Sequence, residues 1–185
     1  MLMALRVIAG EAGGLRLVAP KGDARPTTDR VKESVFAALG HDAVDGAVVL
    51  DLFAGSGALG IEALSRGAAR AVFVDRDRRA VDAVRANLVT TGFTERAEVH
   101  LAAVTAYLRR AGERGFALVF LDPPYASAAA ELAGALAALG RPGLLAAGAR
   151  VVVETRRDAG PRLPEGWAVG WERPYGDTLV SVATV

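Results

Sequence analysis

Hydrophobic positions along the chain fall into two regimes. From residue 47 to about 155, short apolar runs recur at Ala47–Phe53, Ala71–Val74, Glu98–Ala102, Ala117–Leu121 and Arg150–Thr155. Between them lie stretches with helical spacing, about 58–66, 78–91, 104–111 and 127–139, with Gly67, Gly92, Gly112 and Gly140 where helices stop. Nearly continuous apolar strands alternating with helices predict a parallel sheet covered on both faces. The end of the chain breaks this rhythm. Trp167–Arg173, a Pro174-Tyr175-Gly176-Asp177 turn and Thr178–Val185 read as a hairpin, so the sheet should finish with an antiparallel strand.

The first forty residues follow a different pattern. Leu5–Ala9 and Leu15–Ala19 flank Gly10-Glu11-Ala12-Gly13-Gly14 and predict a second hairpin. Arg25-Pro26-Thr27-Thr28 should be extended, because the residue before proline avoids the helical region. Thr28 or Asp29 then caps a helix to about Leu39, with Val31, Val35, Phe36 and Leu39 on one stripe and Gly40 as its stop. The expected organisation is an N-terminal hairpin appendage over 1–24 and one α/β domain over 25–185.

Composition narrows the chemistry. The 185 residues include no cysteine and two isolated histidines, His41 and His100, which excludes disulfides, cysteine catalysis and a multi-histidine metal centre. No apolar run approaches the roughly 18 residues that cross a bilayer, and the N-terminus lacks the core of a signal peptide, so a cytoplasmic protein is expected. The net charge of +1 argues neither for nor against nucleic acid. Positive charge is almost entirely arginine, whose planar fork suits phosphate, with a small excess in the first forty residues.

Three strand ends carry candidate chemistry. The first is Asp51-Leu52-Phe53-Ala54-Gly55-Ser56-Gly57-Ala58-Leu59-Gly60. Its glycines permit a tight turn and close ligand approach, and the helix that follows offers free N–H groups. The spacing fits G-x-G-x-x-G, so a dinucleotide site is one reading and a plain strand-to-helix turn another. The second is Asp75, at the end of Ala71–Val74 and 18 residues after Gly57, placed to accept from ribose hydroxyls; Asp77 reads as the next helix cap. The third is Asp122-Pro123-Pro124-Tyr125. Two prolines remove two N–H donors and stiffen the chain. What remains is an acceptor-only edge, the Asp122 carboxylate and the Pro123 carbonyl, beside the aromatic face of Tyr125. Such an edge suits a planar group bearing an amine.

These motifs resemble those of Rossmann-like methyltransferases that use S-adenosylmethionine and methylate exocyclic amines. Arg6-Val7-Ile8-Ala9-Gly10, Gly14-Leu15-Arg16-Leu17, the block from Arg25 to Phe36, and Tyr175-Gly176-Asp177-Thr178 narrow the resemblance. Over nearly its whole length the chain is similar to the bacterial 16S rRNA (guanine-N2)-methyltransferase family, the D-type small-subunit enzymes. The resemblance implies a mostly parallel seven-stranded sheet with an antiparallel C-terminal strand, and methyl transfer from S-adenosylmethionine to the N2 amine of one guanine in 16S rRNA. It assigns Asp51, Phe53, Gly55, Ser56, Gly57, Asp75, Arg76 and Ala103 to the cofactor. It assigns Asp122, Pro123, Pro124 and Tyr125 to catalysis, and Arg6, Arg16, Arg25, Thr27 and Arg30 to RNA. The implied partner is 16S rRNA within the small ribosomal subunit, bound by a monomer without metal or membrane. Many relatives carry an acid after the third strand, where Leu101-Ala102-Ala103-Val104 has none; backbone groups and apolar contacts must then hold adenine. The acceptor edge also suits a DNA adenine or a protein glutamine amine. A nucleotide-dependent oxidoreductase and a non-catalytic RNA-binding assembly factor are further readings.

Overall fold

The computed structural model describes residues 5–20, 28–124 and 128–185. Its elements, in chain order, are α1 (Asp29–Leu39), β1 (Val48–Leu52), α2 (Ala58–Ser65), β2 (Arg70–Asp75), α3 (Arg78–Thr91), β3 (Ala97–Leu101), α4 (Val104–Arg110), β4 (Phe116–Leu121), α5 (Ala128–Leu139), β5 (Leu145–Arg156), β6 (Ala168–Tyr175) and β7 (Thr178–Thr184). They build one seven-stranded sheet of order β3-β2-β1-β4-β5-β7-β6. Strands β1 to β5 pair in parallel, and β7 runs antiparallel between β5 and β6. This is the α/β architecture that the alternating pattern predicts.

Strand residues alternate between two cores, one on each face of the sheet. Val49, Phe73, Phe120, Val152 and Val182 pack with α1, α2 and α3. Leu50, Val72, Leu121 and Val153 pack with α4 and α5. Burial on both faces explains why these strands read as continuous apolar runs rather than as an alternation of polar and apolar residues. The strand that differs most from expectation is β5, which begins five residues before Arg150. Leu145 pairs with Phe116, and the register then shifts before Leu118 meets Arg150. That irregularity absorbs Ala146–Ala149, a segment without β-branched residues.

The sheet order reverses between β1 and β4, whose first crossovers lead to opposite faces. A crevice therefore opens at their carboxyl ends, where doubly wound folds bind ligands.

The segment before α1 folds back as an antiparallel hairpin, with Val7 N–H donating to Leu15, Gly14 to Val7 and Leu17 to Leu5. It is fastened to the helices by buried polar groups. Glu62 of α2 is fully buried and accepts the amides of Ile8 (2.8 Å) and Ala9 (3.1 Å), as well as Arg66 Nε (2.7 Å). Ser65 Oγ accepts from Ala12 N–H (2.9 Å) and donates to the Ala9 carbonyl (2.6 Å). Asn87 of α3 accepts from Val18 N–H and donates to its carbonyl. From α1, the buried Lys32 ammonium donates to the Arg6 carbonyl and lies 3.7 Å from Asp29. Burial holds Lys32 below the usual lysine range, while Glu62 and Asp29 pull it back up. Leu5, Val7, Ala12 and Leu17 complete the contact by joining the core under α1 and α2.

The hairpin sits so close to α2 that Gly10 admits no side chain. A Cβ there would lie 1.8 Å from the Ser65 carbonyl oxygen, and its φ is +84°. Gly14 shares the positive φ (+87°) but faces open space. Thermal unfolding should separate the two effects. Gly14→Ala is expected to cost about 1 kcal/mol, the backbone strain alone. Gly10→Ala should cost at least about 3 kcal/mol, because backbone must move away from backbone. Equal losses would mean that the close approach has no energetic weight.

Candidate functional site

At the end of β1 the chain makes a sharp exit. Phe53 adopts φ +60°, a left-handed conformation rare for a bulky residue and a local cost of about 1–3 kcal/mol. Ala54 N–H returns to the Val74 carbonyl of β2, and Gly57, at φ +74°, starts α2. A Cβ on Gly57 would meet Phe73 and Val84 at 3.2 Å, and one on Gly60 would meet Phe73 at 2.4 Å. Both glycines therefore let the start of α2 press onto β2. Asn87 donates to the Ser56 carbonyl (2.8 Å), so the amide that holds the hairpin also holds this loop.

Three carboxylates converge on the crevice. Asp51 is fully buried in β1 and accepts the Gly60 amide (2.9 Å), tying the strand to the first turn of α2. Asp75, at the end of β2, accepts Gly55 N–H through one oxygen (2.9 Å) and Asp77 N–H through the other (2.8 Å). It positions the glycine loop from below. Asp122 follows β4 and is half-buried. Burial pushes the Asp51 carboxyl up to about 8; the Gly60 bond opposes the rise, and the charges of Asp122 and Asp75 add to it. Asp51 and Asp75 lie towards the carboxyl ends of the neighbouring strands β1 and β2, and Asp122 directly follows β4 on the other side of β1.

The other predicted site residues lie along the same rim. Pro123 is buried and Pro124 exposed. Ala103 is exposed and forms the N-terminal boundary of α4, and the neighbouring Ala102 N–H bonds the Asp75 carbonyl (2.9 Å). Arg76 directly follows β2. Its guanidinium pairs with Glu131 of α5 (2.6 Å), joining the β2 rim to the helix that follows β4. Asp77 caps α3 through the Arg79 amide (2.8 Å), as expected. Tyr125, Arg25 and Thr27 lie outside the described residues.

Of the arginines assigned to RNA, Arg6 and Arg16 are exposed and form an antiparallel bridge pair. Their side chains thus share one face of the hairpin. Arg6 also pairs with Asp29 (2.8 Å). Arg30 is exposed on the first turn of α1. Thr28 occupies the cap position of this helix, yet its hydroxyl makes no capping bond.

Glu62, Ser65, Lys32 and Asn87 went unnoticed in the sequence. Lys32 and Asn87 lie in amphipathic helices and Glu62 and Ser65 in α2, which is buried along its whole length, and their partners are remote in sequence. A charged residue on the apolar stripe, such as Lys32 one position after Val31, was the available signal.

The arrangement provides a strained glycine turn, a carboxylate beneath it, a second carboxyl lacking its charge at neutral pH, and an acceptor-only edge across a strand gap. A cationic ligand with a ribose fits this set, since a positive charge would relieve the repulsion around Asp51.

Comparison with known proteins gives the lineage. The family model described as "Conserved hypothetical protein 95" matches residues 5–184. The Escherichia coli K12 protein named Ribosomal RNA small subunit methyltransferase D is 36% identical over 174 residues, covering 93% of this chain and 85% of that protein. Its Haemophilus influenzae counterpart is 37% identical over 175 residues, covering 93% and 89%. The solved structure of the Escherichia coli protein yhhF superposes with a TM-score of 0.86 at 33% identity, covering 98% of this chain and 97% of that one. The chain therefore belongs to the Conserved hypothetical protein 95 family, that of the D-type small-subunit ribosomal RNA methyltransferases.

Proposed function

We propose that this protein transfers a methyl group from S-adenosylmethionine to the N2 amine of one guanine in 16S rRNA. The observation that carries the reading is the convergence of Asp51, Asp75 and Asp122 around the β1–β4 crevice, beside an edge of two prolines. Family relatives named as small-subunit rRNA methyltransferases support the substrate class. No helix among the described residues is long and apolar enough to cross a membrane, and the reading places the protein in the cytoplasm with the assembling small subunit.

S-adenosylmethionine, when bound, supplies an electrophilic methyl on a positively charged sulfur. The protein's own residues do the rest. Asp75 fixes the Gly55 amide and holds the ribose, and Asp51 balances positive charge in the crevice. The guanine N2 lone pair is delocalised into the ring, which makes the amine a poor nucleophile. Asp122 and the Pro123 carbonyl each accept one amine hydrogen, favouring a pyramidal nitrogen with its lone pair free. These bonds strengthen as positive charge grows on nitrogen, so they act chiefly on the transition state. Asp122 then accepts the proton that the methylated amine releases. Holding the base in line adds the advantage of proximity. The base must leave its stack to enter, and Tyr125 offers a ring to offset part of that cost. Arg6, Arg16, Arg25, Thr27 and Arg30 contact the RNA around the entrance, the arginines through phosphates.

Single-turnover methyl transfer to small subunits lacking the modification should show this division of labour. Asp122→Ala is expected to lower the rate by about 10³-fold or more while leaving S-adenosylmethionine affinity within a few-fold. Parallel loss of both would place Asp122 in cofactor binding instead.

The pH dependence of cofactor affinity provides a second check. A cation beside Asp51 favours its ionised form, so binding below pH 8 must release a proton. Affinity should therefore rise with pH towards about 8, by up to tenfold per unit, and this component should vanish in Asp51→Asn. Titration calorimetry of both proteins from pH 6 to 8 measures the difference. Identical slopes would show that Asp51 is already ionised in the empty enzyme.

A further inference from the structure

An acceptor edge for a planar amine does not by itself distinguish the N2 amine of guanine from the N6 amine of adenine. A further carboxylate lies one strand away, on β5. Glu154 sits near the carboxyl end of β5 and is half-buried. Strands β4 and β5 are parallel, with Phe120 opposite Val152 and Leu121 opposite Val153. Asp122 and Glu154 are the next residues along these two strands, which run about 5 Å apart.

Both residues face the same side of the sheet. Val152 lies in the core beneath α1, so Glu154, two residues on, points the same way, as does Val180, its antiparallel partner on β7. Phe120 belongs to that core as well, and it is paired with Asp51 on β1. Asp122, the residue just beyond β4 and two positions after Phe120, continues this alternation. The carboxylates of β1, β4 and β5 thus line one side of the crevice mouth in strand order.

We infer that Glu154 is a specificity-determining residue that accepts the N1–H of the target guanine while Asp122 and the Pro123 carbonyl hold its N2 amine. This deepens the proposed reaction and rests on it. Guanine presents N1–H and N2–H donors side by side on its Watson–Crick edge, and two adjacent carboxylates match that pair. Adenine presents an N1 lone pair beside its N6 amine. Facing Glu154, that lone pair would oppose a carboxylate in a partly desolvated site, with no bond to offset the loss.

2-Aminopurine keeps the 2-amine but lacks the 6-oxo group, which turns N1–H into a lone pair, and variants at Glu154 separate the N1 contact from the loss of the oxygen. Small subunits can be reconstituted with 16S rRNA ligated to carry either guanine or 2-aminopurine at the methylated position, and single-turnover rates compared. The wild-type enzyme should prefer guanine by about 100-fold or more, as expected of a site built to bond an N–H. Glu154→Gln, whose carboxamide can donate to the lone pair, should reduce that preference at least tenfold while S-adenosylmethionine affinity is unchanged. Glu154→Asp, which keeps the charge, should retain the preference at a lower rate; Glu154→Ala, which removes both the acceptor and the repulsion, should reduce the preference and stands in if the glutamine variant does not fold.

Equal falls on both substrates in Glu154→Gln, with the preference intact, would overturn the inference and leave a structural role. So would a wild-type enzyme that methylates both bases equally, although the proposed reaction would then stand. A wild-type enzyme forming no N2-methylguanine on guanine-bearing subunits would overturn the reaction itself and the inference with it.

Discussion

A carboxyl group buried without a cation is the constraint around which the crevice is organised. Asp51 has no exposure to water, and its bond from Gly60 N–H is the link between β1 and the first turn of α2. That link fixes where the glycine loop can run, and the loop in turn rests on Asp75 through Gly55. The same burial leaves Asp51 mostly protonated near neutral pH, with its neighbours Asp122 and Asp75 reinforcing the effect. Protonation spares the site that repulsion, and a positive charge brought beside Asp51 would favour its ionised form. Cofactor binding and loop geometry are coupled through one side chain.

A second set of buried polar groups extends that coupling to the hairpin. Asn87 bonds Val18 through both ends of its amide and also donates to the Ser56 carbonyl. The hairpin and the glycine loop consequently share a support in α3. Glu62, Ser65 and Lys32 supply the remaining anchors. The exposed face that carries Arg6 and Arg16 is thus held in fixed relation to the crevice. Arginines on a rigid wall can orient an RNA strand, whereas the same charges on a loose arm would only raise its local concentration.

Much of this was legible in the residues, for identifiable reasons. Strands buried on both faces produce unbroken apolar runs, so β1 to β4 appear within a residue or two of their limits. Asp51, Asp75 and Asp122 follow such runs and are easily found at strand ends. The start of β5 was not legible, because Leu145 joins the sheet by pairing with Phe116 rather than by any strand preference of its own. The polar anchors of the hairpin were not legible either. Glu62 and Asn87 act on residues 53 or more positions away, or on a loop 31 positions away, and no local pattern reports such partners. The ion pair of Arg76 with Glu131, 55 positions away, is equally invisible to local spacing.

The ion pair between Arg76 and Glu131 has a structural consequence. Arg76 follows β2, Glu131 lies in the first turn of α5 after β4, and β1 lies between those strands in the sheet. The pair therefore bridges the carboxyl end of β1, the floor of the crevice, from one rim to the other. Arg76 is well exposed, so the bond is worth at most about 1 kcal/mol. A link that weak does not stabilise the fold appreciably. It can still bias the position of α5, because a small free energy is enough to shift a local equilibrium. The ends of β2 and β4 are then joined at two levels: rigidly, through the pairing of both strands with β1, and reversibly, through a surface ion pair.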